Sequence, residues 1–420
     1  MTSSENGNFL KNIHSLAKRG KSKNDSLKLN GRLPTEPEVT ANGTKKRLSI
    51  LQKESGKDFP YLSGVCAFHN FNHLEGNIEN FIGMTMIPTG IIGPLKIHGT
   101  SANGNFFVPL STSEGALVAS FHRGAKACYE AGGATSFCIE EAVCRSPLFK
   151  FNNLVEAGLF LSWIMQQKEN FQKITSEHSR FARLKDMKSN IEGNQLILSF
   201  EYYTGDAAGQ NMSTLCTTEI CKYIIEQAPV KPLHWYIESN YSGDKKATAL
   251  SFSQVRGKKV SAEISLPRKV VKEVLKTTPE IMEMYWRSST IAVIQSGSIG
   301  AQGHYANGLA ALFMATGQDV ACIAEASVGI TRMELQPDGV LYASVTLPNL
   351  IVGTVGGGTS LPTQKECLEM MDCYGAGKAV KLAEICGAVV LAGELSIAAA
   401  LAAGHFSDAH KKFGRKKHGQ

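Results

Sequence analysis

Apolar and polar positions follow different periods along the 420-residue chain, and each change of period marks a new part. Residues 1–30, rich in Ser, Asn, Gly and Lys, show no period and read as a flexible arm. Prolines punctuate the chain from Leu33 and a helix is expected over 44–53, so 31–78 reads as a helical N-terminal region. The core begins near Glu79. There Pro88, Gly90, Gly93 and Pro94 interrupt an apolar run, as short strands and turns do. Residues 111–115 then open a helix whose Leu117, Val118, Phe121 and Ala125 share one face until Gly132 and Gly133 stop it.

Beyond Pro147 the texture changes. Residues 153–167 have helical spacing, and 195–203 alternate with Leu196, Leu198, Phe200 and Tyr202 on one face. A second helix is expected over 214–227 before Pro229 and Pro232 close the block. Residues 146–238 therefore read as a small α+β domain inserted into a larger one. The larger domain resumes with a strand over 260–266, helices over 270–276 and 304–316, a strand over 341–347 and a long helix from about Lys378. It comprises 79–145 and 239–410 and is mixed α/β, with a basic tail at 411–420.

Composition agrees with a folded chain: 43% hydrophobic and only 19% charged. The net charge of +7 belongs to the ends, because residues 1–50 and 411–420 together carry +11 and the core carries −4. Nothing in that distribution suits a nucleic acid. None of the ten cysteines forms a CxxC pair, so reduced thiols in a cytoplasmic protein are expected, with no metal. The longest apolar run, 385–404, is flanked or interrupted by Glu384 and Glu394 and reads as a buried helix, not a membrane span.

Glycine motifs exclude several enzyme classes. No strand–GxGxxG–helix unit is present, so a Rossmann dinucleotide fold is not expected. The run ending in Lys378 lacks the first glycine and the final Ser or Thr of a nucleotide-triphosphate loop. No nucleophile elbow, HExxH or acidic calcium loop occurs. What remains is GTVGGGT at 353–359, whose backbone N–H groups could cradle a pyrophosphate or simply form a turn.

Several polar runs stand in apolar context, where burial is costly without a partner: STSEG at 111–115, NYSGDKK at 240–246, GQD at 317–319 and GHFSDAH at 404–410. A carboxylate, a lysine, a second carboxylate and a histidine make a proton-transfer and oxyanion-stabilising set. With ENFIG at 79–83, DAAGQNM at 206–212, DKK at 244–246, GQD and GTVGGGT in this order, the chain resembles the hydroxymethylglutaryl-CoA (HMG-CoA) reductases over about 79–410, class I more than class II.

That resemblance implies an NADPH-dependent reduction of HMG-CoA to mevalonate and CoA by two hydrides, and an inserted ferredoxin-like cofactor domain. It makes Lys245 the oxyanion partner, Glu114 a proton donor whose role calls for burial, Asp319 the group holding both, and His410 the acid that protonates the leaving thiolate. His405 is the competing histidine. An ammonium about 4 Å from a developing oxyanion is worth roughly 4 kcal/mol at an effective dielectric near 20. The cofactor would meet Ser179, Arg180, Phe181, Asp206, Ala208, Gly209, Gln210, Asn211, Gly356, Gly357, Gly358 and Arg415. The substrate would meet Ser120, Arg123, Arg145, Asn240, Lys246, Arg287, His304 and Asn307. Two departures from the family pattern concern the substrate carboxylate: Arg287 replaces a lysine, and Glu238 precedes Ser239 and Asn240.

By residue type alone the bland readings stand beside these. Glu114, placed in a first helical turn, could serve the helix dipole, Asp319 a turn, and the lysines solvent. Competing functions are an NADH-preferring enzyme that oxidises mevalonate, and a silent CoA-binding protein. The resemblance of the ENFIG segment implies a homodimer or higher homo-oligomer with active sites at the interface; no membrane or nucleic-acid partner is expected. Six residues beyond His410 stands Lys416, so the serine phospho-switch of some family members is not expected.

Overall fold

The computed structural model describes residues 13–14, 33 and 39–404. Thr40 caps the first long helix, α1 (Ala41–Ser55), by accepting the Gly43 N–H, and Gly56 in the left-handed region ends it. Leu33, Leu51, Phe59 and Phe107 form a small apolar cluster, and Glu366 accepts the Tyr61 and Leu62 N–H groups, so this region is fastened to the main body.

The main sheet runs β2 (Asn103–Ser111), β1 (Thr89–Gly99), β3 (Ala134–Arg145), β8 (Gly257–Leu266), β10 (Leu341–Leu350) and β9 (Ile330–Leu335). Its pairings are antiparallel except β1 with β3. Helices α2 (Leu117–Glu130), α7 (Tyr305–Thr316) and α10 (Ala379–Ala402) pack against one another and the sheet. Helix α10 is mostly apolar round its circumference because it is the centre of the core, and its buried Glu384 and Glu394 accept backbone N–H groups there. It is the one helix among the described residues long and apolar enough to cross a membrane, yet 83% of its most apolar window is buried inside the protein.

Strand β3 then crosses into a second sheet by pairing its last three residues with β6 (Gln195–Tyr203). That sheet has the order β7 (His234–Tyr236), β4 (Leu148–Lys150), β6 and β5 (Arg183–Glu192), all antiparallel. With α3 (Leu154–Ile164), α4 (Lys168–His178) and α5 (Gln210–Gln227), the chain order is βααββαβ and the strand order 4-1-3-2, a ferredoxin-like arrangement. A separate core of Phe149, Phe160, Phe171, Leu198, Phe200 and Ile220 fills it. The sheets among the described residues are not of the Rossmann type, as expected.

Strand β6 has the bounds that its alternation gave. Helix α6 (Pro279–Ser296) had no place in the sequence reading, although Thr278 caps it and Pro279 opens it. Its Met284, Ile291 and Ile294 are exposed, so its spacing did not look like one buried face. The remaining elements are a helical segment Arg268–Val270 that runs into a π-helical turn Val271–Leu275, a 3-10 turn Val320–Cys322 leading into α8 (Ile323–Ala326), α9 (Pro362–Met370), and the 3-10 turns Phe71–Leu74, Ala249–Phe252 and Gly357–Ser360.

Candidate active site

Loop 239–248, between β7 and β8, carries Lys245. Its backbone is in the left-handed region with φ 55°, and its ammonium meets Asp319 Oδ2 at 2.8 Å. Asp319 has two tasks, because its Oδ1 also accepts the Ala321 N–H at 3.0 Å and caps the 3-10 turn Val320–Cys322. The Asp319 hydrogen bond pushes the Lys245 pKa up. Burial acts to raise Asp319, but its bonds to Lys245 and Ala321 outweigh that and hold its carboxyl below the usual range.

Around this pair the glycine motifs lock together. Gln318 donates to the Gly353 carbonyl at 3.0 Å and accepts the Gly353 N–H at 2.8 Å. Gly317, at φ 68°, lies so close to Gly358 that a Cβ would stand 2.2 Å from its carbonyl oxygen. The Thr354 N–H donates to the Asp206 carbonyl at 2.8 Å, so DAAGQNM, GTVGGGT and GQD are neighbours.

Beneath Lys245 lies a buried charged network that sequence reasoning missed. Arg256, 2% exposed, donates to Glu325 (3.0 Å), Asp244 (2.5 Å), Gln210 (2.6 Å) and the Cys144 carbonyl (2.9 Å). In sequence Arg256 looks like part of a solvated basic run. Glu325, a lone acid in the apolar stretch 322–328, was the available signal. Arg145, expected at the substrate carboxylate, is buried and donates to Glu238 at 3.1 Å and Asp244 at 3.3 Å. The charge of Glu238, one of the two departures from the family pattern, is therefore balanced within the chain. Arg145 Nε, Gln210 Nε2, Glu238 Oε1 and Glu325 Oε1 are buried and have no hydrogen-bond partner among the described residues.

Glu114 corrects two expectations. It lies in the loop before α2, because Thr112 Oγ1 accepts its N–H and Ala116 in the left-handed region delays the helix to Leu117. It is also exposed, since no element among the described residues covers it. Its Oε2 accepts from Asn307 Nδ2 at 2.9 Å. One turn earlier His304 is buried and stacked on Phe121 at 4.7 Å; burial lowers its pKa, while the Glu114 charge opposes that. Ser120 and Arg123 both bond Ser396 of α10. Asn240 and Lys246 are exposed on the Lys245 loop. Arg287 is exposed on α6 and paired with Glu283.

In the smaller unit, Ser179 ends α4 and accepts the Phe181 and Ala182 N–H groups, while the exposed Arg180 lies over the Phe181 ring. Arg183 pairs with Tyr203 across β5 and β6, which puts Ser179, Arg180 and Phe181 at the same end of that hairpin as Asp206. The Asp206 carboxylate accepts the Gly377 and Ala379 N–H groups and is thereby engaged with the start of α10. Ala208 packs on Gly353, Gly209 begins α5, and Asn211 is exposed. Gly356 and Gly357 face open space, and Gly358 faces Gly317. An open pocket of about 490 Å³ at the end of α10 is lined by Lys272, Lys276, Thr277, Thr278, Ile281 and Ala403. His410 and Arg415 lie outside the described residues. Among the described residues no cluster of His, Cys, Asp or Glu is placed to hold a metal ion.

The hydroxymethylglutaryl-coenzyme A reductase family model matches residues 43–415. A 3-hydroxy-3-methylglutaryl-coenzyme A reductase of Pyrococcus horikoshii is 46% identical over 352 residues, covering 82% of this chain and 85% of that one. The Methanocaldococcus jannaschii enzyme of the same name is 42% identical over 382 residues, covering 89% and 93%. Among solved structures, a class II reductase of Streptococcus pneumoniae bound to NADPH superposes with a TM-score of 0.69 at 18% identity, covering 85% and 86%. Family model, relatives and fold converge, and the chain belongs to the hydroxymethylglutaryl-coenzyme A reductase family.

Proposed function

We propose that this HMG-CoA reductase draws its reducing equivalents from NADPH and works with Lys245, Asp319, Glu114 and His410 in the roles given above. Two hydrides and two protons convert HMG-CoA to mevalonate and free CoA, through a hemithioacetal that must collapse between the reductions. When bound, NADPH supplies the hydride. The observation that carries this reading is the Lys245–Asp319 pair at 2.8 Å. It keeps the lysine charged and fixes its head where an oxyanion can form. Glu114, oriented by Asn307, is the proton donor. His410 protonates the thiolate, a downhill step because a thiol pKa near 8.5 exceeds an imidazolium pKa of about 6.5.

Residues 146–238 form the NADP-binding unit in this reading. The residues present suit the cofactor: Gly356 and Gly357 offer open backbone, the start of α5 favours an anion, and exposed Arg180, with Arg415, suits a 2′-phosphate. Asp206 takes part through its loop and not through its carboxylate. Lys272 and Lys276 suit the phosphates of CoA. A homodimer completes the site. Ile82 and Met86 of the ENFIG region are exposed, and Arg287 stands on α6 between exposed Met284 and Ile291, one stripe of apolar residues around a cation. A partner on that stripe would receive Arg287. Ten free cysteines suit the cytoplasm.

Oxidation of NADPH and of NADH with HMG-CoA, followed by absorbance in the parent and Arg180→Ala, tests the cofactor assignment. The expected result is a kcat/KM at least tenfold higher for NADPH and a preference that narrows in the variant. Equal or better use of NADH by the parent would refute it.

A further inference from the structure

Lys245 is held at both ends by carboxylates from one short stretch of chain. Its ammonium meets Asp319, and its backbone N–H donates to Glu325 Oε2 at 2.6 Å. Asp319 caps the 3-10 turn Val320–Cys322, and that turn continues directly into α8, which carries Glu325. The main chain of Lys245 sits at φ 55°, a region that residues other than glycine seldom enter and that persists only where the surroundings impose it. Glu325 is fully buried, and the same Oε2 also accepts Arg256 Nε at 3.0 Å. Pairing with Arg256 alone would satisfy the charge of Glu325, and Arg256 has Asp244 as well, at 2.5 Å. The bond to the Lys245 N–H is a separate task, and it acts on the one backbone whose setting aims the ammonium.

We propose that Glu325 is a positioning residue: by holding the left-handed Lys245 main chain from α8, it aims the ammonium that Asp319 grips from the start of the 3-10 turn leading into that helix. This rests on the reading of Lys245 as the oxyanion partner. Two variants separate reach from charge. Glu325→Gln keeps an acceptor at full reach and removes the charge, leaving Arg256 bound to Asp244. Glu325→Asp keeps the charge and withdraws the acceptor by one methylene.

The measurements are kcat and KM for HMG-CoA and NADPH, and amide hydrogen exchange of the peptide containing Lys245. The expected result is that Glu325→Gln retains at least about a third of kcat with unchanged exchange. Glu325→Asp loses ~10–100-fold in kcat with KM within about threefold and faster exchange at Lys245, as a displacement near 1 Å at a reacting group can cost about 10²-fold. Equal behaviour of the two variants, or a loss carried by KM with kcat kept, overturns the proposal. If Glu325→Asp does not fold, a tenfold or greater loss of kcat in Glu325→Gln overturns it, and retained kcat with unchanged exchange supports it. Lys245→Ala is the control. An inactive Lys245→Ala beside a parent-like Glu325→Asp refutes the positioning role alone. An active Lys245→Ala refutes the oxyanion role, and the exchange rate still decides whether Glu325 holds the loop.

Discussion

Asn307 Nδ2 donates to Glu114 Oε2 at 2.9 Å, joining the first turns of α7 to the loop before α2 across 193 positions of sequence. The bond is exposed, so it contributes little to stability but fixes where the carboxyl points. Asn307→Ala should lower kcat by about tenfold, a fraction of the 10²–10⁴-fold typical of a positioned acid. The thermal midpoint should stay where it is. Steady-state kinetics beside a melting curve checks both.

Asp319 should govern a pH limb. Its hydrogen bond raises the Lys245 pKa, so the ammonium persists to higher pH than an unpaired lysine and is lost as pH rises through that raised value. Asp319→Asn removes the bond, while the burial that lowers the Lys245 pKa remains. The alkaline limb of kcat should therefore move to lower pH, and a pH–rate profile of parent and variant reads the shift. Asp319 itself is held below the usual carboxylate range by its bonds to Lys245 and Ala321, so the pair should outlast ordinary carboxylates as pH falls.

The Arg145–Glu238 contact is structural. Glu238→Ala leaves Arg145 with Asp244 as its carboxylate, so the cost should be that of one charge-assisted hydrogen bond, about 2 kcal/mol, and not of a wholly broken buried pair. Urea unfolding measures it.

Asp206 fastens the smaller unit to the first turn of α10. Asp206→Ala should cost about 1 kcal/mol, the usual value of a lost cap. It should also raise KM for NADPH by loosening the loop that includes Gly209 and Gln210. A variant with lower stability and an unchanged KM would separate the clasp from the cofactor.

Elements with one buried face and polar flanks were legible in the sequence. Strand β6 sets Leu196, Leu198, Phe200 and Tyr202 on one face, and α10 is a long, mostly apolar run whose two buried acids, Glu384 and Glu394, are met by backbone N–H groups. Helix α6 was not, because its Met284, Ile291 and Ile294 point outward and its apolar residues show no single buried stripe. Strand β3 also escaped: it serves two sheets and carries a register shift between Cys138 and Glu140, which breaks its alternation. The motif residues of the site were legible through resemblance, but the hydrogen bonds that hold them were not. Arg256 reads as a surface cation and Glu325 as a helix acid, since composition does not reveal which charges a fold will bury together.

The most direct test of Lys245 as the oxyanion partner is the rate of NADPH oxidation at saturating HMG-CoA in the parent and in Lys245→Ala, measured side by side on folded protein. Removing one preorganised oxyanion donor typically costs ~10²–10³-fold, and a loss of that size in kcat is the result expected. A variant within about threefold of the parent would contradict it and leave the Lys245–Asp319 pair a structural contact.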